Sequence, residues 1–428
     1  MKIIYLFFFA LFLNFPTYGY IDPGTGSMLF SLLTGAAVTI FFFLKNFIIR
    51  IRGGGLFQKK IVPGKKMGLV IYSEGKQYWN VFKPIVDELA RRNIPFAYYS
   101  SGEDDPGLSS ETPLMEKKFI GKGNDAYRFL NFLEADVCLT TTPSLDVFQF
   151  KRSPGVSHYA HILHMVNDAT TYRLFGLDYY DSVLLTGEYQ KKDIRQLEKQ
   201  RGLKEKELFV AGCTYLDELA ARKLVISNDD NEKSKNKTVL IAPSWGKNGI
   251  LSRYGLKLLL PLAKSSWCII VRPHPQSMIA EKETVSKLRE MLVPYQNVEW
   301  NFDTENIYAL SRADVLISDF SGIVFDFAFL FNRPLLYPRF DFDKRPYDLA
   351  DIEDEAWNFR ALRQLGIPLD ERKFEEIEKF LDEELTGWEN RKEVTEKLRE
   401  EAWQYRGMAG KRAADFLLEM MGKIKEVV

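Results

Sequence analysis

All four histidines of this 428-residue chain fall in two short stretches, Ser157-His158-Tyr159-Ala160-His161-Ile162-Leu163-His164 and Val271-Arg272-Pro273-His274-Pro275. Histidine exchanges a proton most readily near neutral pH, so this clustering points to proton transfer or anion binding at two places in the fold. Prolines on both sides of His274 fix its backbone and aim its imidazole, and Arg272 adds a permanent positive charge suited to phosphate oxygens. A third stretch, Ile317-Ser318-Asp319-Phe320-Ser321-Gly322-Ile323-Val324-Phe325-Asp326, supplies hydroxyls, carboxylates and a helix start at Ser321. The free N–H groups and positive dipole end of such a start suit a diphosphate, although Asp319 and Ser321 also serve as ordinary helix caps. His164, last in its run and next to the polar Asn167-Asp168, is the candidate general base. Buried structural roles compete for it, and compete more strongly for His158 and His161. In an extended chain His158 and His164 share a face and His161 points to the other, so the residues alone leave open which of the three meets a cleft.

The elements that must position these groups alternate from Met67 onward between short β-rich runs and helical stretches, the pattern of parallel sheets with crossover helices. Gly68 to Tyr72, Phe96 to Tyr99, Val137 to Thr140, Ser182 to Thr186 and Leu208 to Ala211 read as strands of a first α/β domain, residues 65–225. Ser227 to Lys237 contains no apolar residue and reads as an exposed linker, 226–237. Thr238 to Ala242, Cys268 to Val271, Asp314 to Ile317 and Pro334 to Tyr337 read as strands of a second domain, 238–405, before a C-terminal helix at 406–428. Open α/β sheets bind ligands at the carboxyl ends of their strands. Pro243-Ser244-Trp245-Gly246, Arg272 to Pro275 and Ser318 to Gly322 each follow a strand end, which places one site in a cleft between two domains.

Composition narrows the partners. Lys plus Arg equals Asp plus Glu at 58 each, so no global field favours nucleic acid and an anionic ligand needs a local site. Cys138, Cys213 and Cys268 have no metal-type spacing and read as small core hydrophobes; neither a metal nor a cofactor is implied. At the N-terminus, an apolar run within residues 1–19 reads as a signal-like or first membrane segment, and residues 28–49 as a spanning helix. Arg50, Arg52, Lys59, Lys60, Lys65 and Lys66 follow, and the positive-inside rule then puts the catalytic domains on the cytoplasmic side of the cell's inner membrane.

Ile241 to Gly246, Val271 to Pro275, Ile317 to Gly322 and Asn332-Arg333-Pro334-Leu335-Leu336-Tyr337 resemble successive blocks of the CDP-glycerol glycerophosphotransferase family, the teichoic acid primases and polymerases. His164, Asp178-Tyr179-Tyr180-Asp181 and Thr186-Gly187 fall in the order of its N-terminal half. The resemblance implies a GT-B fold of two Rossmann-type domains and a CDP-activated polyol phosphate donor such as CDP-glycerol. It also implies a donor site at Ser244, Arg272, His274, Ser318, Asp319, Ser321 and Gly322, with His164 activating an acceptor hydroxyl. Of the donor-site residues, Asp319 is expected to orient its turn rather than react. One departure is Met165, which stands where the family has a small residue after the histidine. Together with the membrane segment, the expectation is a tethered transferase acting on a lipid-linked glycan or polymer in cell-envelope synthesis. The rivals are a glycosyltransferase or nucleotide-sugar epimerase on the same fold, and a non-catalytic module that recruits other proteins.

Overall fold

Parallel strands covered by helices on both faces have no polar side. Leu69-Val70-Ile71, Val137-Cys138-Leu139, Val239-Leu240-Ile241 and Val315-Leu316-Ile317 meet that demand, and all twelve residues are fully buried. The computed structural model describes residues 66–229 and 237–427. Its first sheet holds β1 (Met67–Ser73), β2 (Phe96–Ser100), β3 (Met115–Phe119), β4 (Ala135–Thr140), β5 (Val156–Ile162), β6 (Ser182–Leu185) and β7 (Glu207–Val210), all parallel, in the order β3-β2-β1-β4-β5-β6-β7. The second holds β8 (Thr238–Ile241), β9 (Cys268–Val271), β10 (Val298–Trp300), β11 (Val315–Ile317), β12 (Leu335–Pro338) and β13 (Ile367–Leu369), again parallel, in the order β10-β9-β8-β11-β12-β13. This is the expected pair of Rossmann-type sheets.

Three strands that the apolar pattern did not announce, β3, β10 and β13, are edge strands. β3 has the sequence Met-Glu-Lys-Lys-Phe, exposed after its first residue, and exists because β2 offers it a ladder. Charge on an exposed edge also discourages pairing with other chains.

Five helices matter to the site: α1 (Trp79–Arg91), α2 (Thr214–Asp229), α3 (Ile323–Phe331), α4 (Trp357–Leu365) and α5 (Ala409–Val427). The terminal α5 returns to the first sheet, where Ala413, Ala414 and Leu417 are fully buried with β1 and α1. Its approach to α1 requires glycine at 410, since a Cβ there would sit 2.5 Å from the Pro84 carbonyl oxygen. Arg201 ties the elements further by donating to Asp178, Asp348 and Asp351, at 2.7 Å each. Cys138 and Cys213 are buried and unpaired, as small core side chains.

Helix α3 is apolar all round, with Val324 to Leu330 buried, as an internal helix must be. Its one carboxylate, Asp326, accepts from Asn306 Nδ2 at 2.9 Å and Tyr215 OH at 3.4 Å, and burial pushes it up to about 7. The unfolded carboxyl titrates near 3.8, so this group removes stability as pH rises from there through its folded value. Asp326→Asn keeps the shape without the charge. Its melting temperature is expected to move above that of the wild type as pH is raised from about 4 to about 8, and calorimetry showing a constant gap would refute the shift.

The signal-like segment at 1–19, the spanning helix at 28–49, Lys59, Lys60, Lys65 and most of the 226–237 linker lie outside the described residues. Among the described residues no helix is long and apolar enough to cross a membrane.

Candidate active site

In the second sheet, β8 lies between β9 and β11, the point where strand order reverses and a crevice opens beyond the strand ends. The loops after β8, β9 and β11 therefore emerge side by side. The Asp319 carboxylate accepts from Ser244 N at 2.8 Å and Ile250 N at 3.2 Å, and the Ser318 hydroxyl donates to the Ala242 carbonyl at 2.6 Å. Both residues are buried, and these bonds clamp two loops together, the arrangement an orienting Asp319 would make. Burial raises the Asp319 carboxyl above its ordinary value, opposed by these backbone bonds. Ser244 contributes its N–H to the same clamp.

The clamp presents the start of α3. Val324 N and Phe325 N make the first helical bonds, to Ser321 O and Gly322 O, so the N–H groups of Gly322 and Ile323 precede the ladder at the half-exposed turn. On the loop after β9, His274 Nδ1 accepts from Gln276 N at 3.1 Å, which places the proton of the neutral ring on Nε2 as a donor. Burial lowers its pKa. The Arg272 guanidinium donates to Asn301 Oδ1 and to the Asp303 carbonyl at 2.7 Å, so its fork also organises the 301–304 loop.

Across the crevice, β5 ends at Ile162 and His164 stands beyond it in a turn. The alternation that would separate His161 from His164 holds only within the strand, and past its end the two rings converge on one hydroxyl. His161 Nε2 lies 3.1 Å from Tyr172 OH, which lies 3.2 Å from His164 Nδ1. Tyr172 has one hydrogen to give. When it goes to His161 Nε2, His164 must donate Nδ1–H to the tyrosine oxygen, and His164 Nε2 keeps a free lone pair, the state a base requires. Burial lowers His164 to about 4 and His161 to about 3, so both are neutral at pH 7. His158, near the start of β5, bonds Ser182 Oγ at 2.8 Å and has a structural partner away from this pair.

The two sides meet at Gly322. A Cβ there would fall 2.8 Å from Met165 Sδ and 3.5 Å from Asn167 Oδ1, so the loop carrying His164 lies against the start of α3. That loop is held by Tyr189 OH donating to Val166 O, Gln190 Nε2 donating to Asn167 O at 2.8 Å, and Asn358 N donating to Asp168 Oδ2 at 3.3 Å. Burial raises Asp168 to about 7.

Sequence reasoning missed Tyr172, Tyr78 and Glu74. The Tyr78 ring meets His164 edge-on at 5.4 Å, and Glu74 follows the end of β1, its carboxyl pKa raised by burial. A signal was present in Ser73-Glu74-Gly75, a carboxylate directly after a strand end and before a glycine that takes φ 152°. Among the described residues no cluster of His, Cys, Asp and Glu could hold a metal ion.

Residues 174–357 match the family described as CDP-Glycerol:Poly(glycerophosphate) glycerophosphotransferase, a span that includes His274 and the 318–322 turn and begins past His164. No curated protein matches the chain. Among solved structures, the wall teichoic acid polymerase TagF, soaked with CDPG, is similar at a TM-score of 0.55 and 16% identity, covering 91% of this chain and 98% of that one. The UDP-GlcNAc 2-epimerase of Neisseria meningitidis is similar at 0.54 and 16%, covering 82% and 100%, and that of Methanocaldococcus jannaschii at 0.54 and 15%, with the same coverage. At these identities the likeness establishes a GT-B-like fold. The order of strand-end motifs and the family match agree: residues 174–357 resemble the CDP-glycerol glycerophosphotransferases, and the chain is similar to an enzyme of that type.

Proposed function

We propose that this enzyme is tethered to the membrane and moves glycerol phosphate, or a related polyol phosphate, from a CDP-activated donor to a hydroxyl of a lipid-linked glycan or polymer. The observation that carries the reading is the contact between the His164 loop and the start of α3 at Gly322, the closeness that a base and an anion site for this transfer require. The acceptor oxygen attacks the donor's β-phosphorus while its proton passes to His164 Nε2. The new P–O bond forms as the bond to CMP breaks, and CMP leaves with the electron pair. Charge growing on the leaving phosphate is met by His274 Nε2–H and the N–H groups of Gly322 and Ile323, donors already in place before reaction.

A nucleotide-sugar transferase or epimerase is the second reading, favoured by the near-equal likeness to the two epimerases. One experiment separates them: incubation of the purified protein with CDP-polyols and with nucleotide sugars. Acceptor-dependent release of CMP from a CDP-polyol supports transfer. Release of UMP or UDP, or epimerisation without CMP release, sinks it.

The tether rests on the apolar segments at 1–19 and 28–49 and the basic residues that follow. Removal of residues 1–50 is expected to leave donor binding intact and to weaken transfer to acceptor in liposomes by lowering the effective concentration at the bilayer. Transfer to a water-soluble acceptor analogue is expected to survive. Lys59, Lys60, Lys65 and Lys66 retain attraction to anionic lipid of about 1 kcal/mol per charge, which salt screens. Equal activity of the shortened and full-length proteins on liposomes at high salt would dispose of the tether.

A further inference from the structure

Beside His164 lies a partly open cavity of about 220 Å³ between the loop after β5 and the loops and α4 of the second sheet. Asn167, Asp168 and Asn358 are among its walls, with the rings of Phe320, Phe342 and Phe359, and no Lys or Arg among the described residues lines it. Asn358 is 3% exposed, and neither its Oδ1 nor that of Asn167 accepts a hydrogen bond from the described residues. Buried acceptors are nearly always paired, so two orphans in one wall ask for hydroxyl or amine donors from a ligand. Aromatic faces suit C–H groups, and a wall without a cation, carrying a carboxyl, rejects phosphate. At about 30 Å³ per water, the space holds on the order of seven waters, room for a three-carbon polyol, of about four waters' bulk, together with a few waters.

We propose that this cavity is the polyol subsite of the acceptor: it seats the uncharged terminal polyol, Asn167 and Asn358 accept its non-reacting hydroxyls, and one hydroxyl stands at His164. The assignment rests on the transfer reading above. Phosphates stay outside, at the start of α3. The two asparagines are thus specificity-determining residues that the sequence motifs do not contain.

Asn358→Leu and Asn167→Leu test it, because leucine matches the shape and removes the orphan acceptor. Each variant is expected to melt at or above the wild-type temperature while its acceptor KM rises at least about tenfold and its donor KM stays within about twofold. A purely structural role would instead lower the melting temperature. Unchanged acceptor KM in both variants, or a rise confined to donor KM, overturns the subsite. A second arm does not depend on turnover: saturation-transfer NMR with free glycerol on the full chain. Where the wild type releases CMP, kinetics decide. Where it does not, transfer to glycerol C–H protons in the wild type and its loss in Asn358→Leu uphold the cavity while the transfer reading falls, and no transfer in the wild type removes the cavity too.

Discussion

His164→Ala is expected to lower turnover by about two to four orders of magnitude and to leave donor affinity nearly unchanged, the signature of a lost general base. The cause is local. His164 Nε2 is the ring atom left free when Nδ1 engages Tyr172, and the residue stands against the cavity where a hydroxyl would bind. Tyr172→Phe should then lower turnover in the same sense by a smaller factor, since it removes the oxygen that sets the tautomer but leaves the ring. The pH profile adds a readout that a structural role would not move. Burial holds His164 near 4, and a base works only when deprotonated, so the acid limb of kcat/KM attributable to it lies near pH 4 instead of 6.5. A bound diphosphate brings negative charge close to the ring and favours its protonated form, so the acid limb of kcat lies higher than that of kcat/KM. Full activity in a folded His164→Ala protein would take this residue out of the mechanism.

His274→Ala is expected to act on the donor. A hydrogen bond to a charged phosphate contributes about 1.5–3 kcal/mol, so its loss weakens CDP-glycerol binding by about 10- to 100-fold. Titration calorimetry measures this directly. Arg272→Ala is expected to weaken binding as well, through disorder of the 301–304 loop that its guanidinium holds, and unlike His274→Ala it should also lower the melting temperature. Unchanged donor binding in the His274 variant would place the diphosphate elsewhere.

Much of this architecture was legible because parallel sheets make a simple demand. Strands covered on both faces must be continuously apolar, and Gly68 to Tyr72, Cys268 to Val271 and Pro334 to Tyr337 announce themselves by that alone. The chemical stretches directly follow such runs, so their convergence at strand ends could be read from order along the chain. The start of α3 was legible too, since Ser321-Gly322 precedes a stretch that is apolar but for Asp326, with helical bounds close to Ile323–Phe331. The edge strand β3 escaped this logic because an edge is half solvated: it carries charge and is defined by its neighbour.

Residue types and spacing by themselves determined the fold class, the family resemblance and the three loops that carry His164, His274 and the 318–322 turn. Only the tertiary structure decided what each side chain in those loops does. Ser318 and Arg272 carry the right chemistry for a donor, yet their polar groups are taken by Ala242, Asn301 and Asp303. His161 and His164 belong to opposite faces by strand period and to one hydroxyl in space, because the strand ends between them. Asp168 meets Asn358 N from 190 positions away. Local pattern reports how a segment is covered by solvent or protein. Which partner a polar atom finds depends on loops that pack from distant parts of the chain, and no period in the sequence records that.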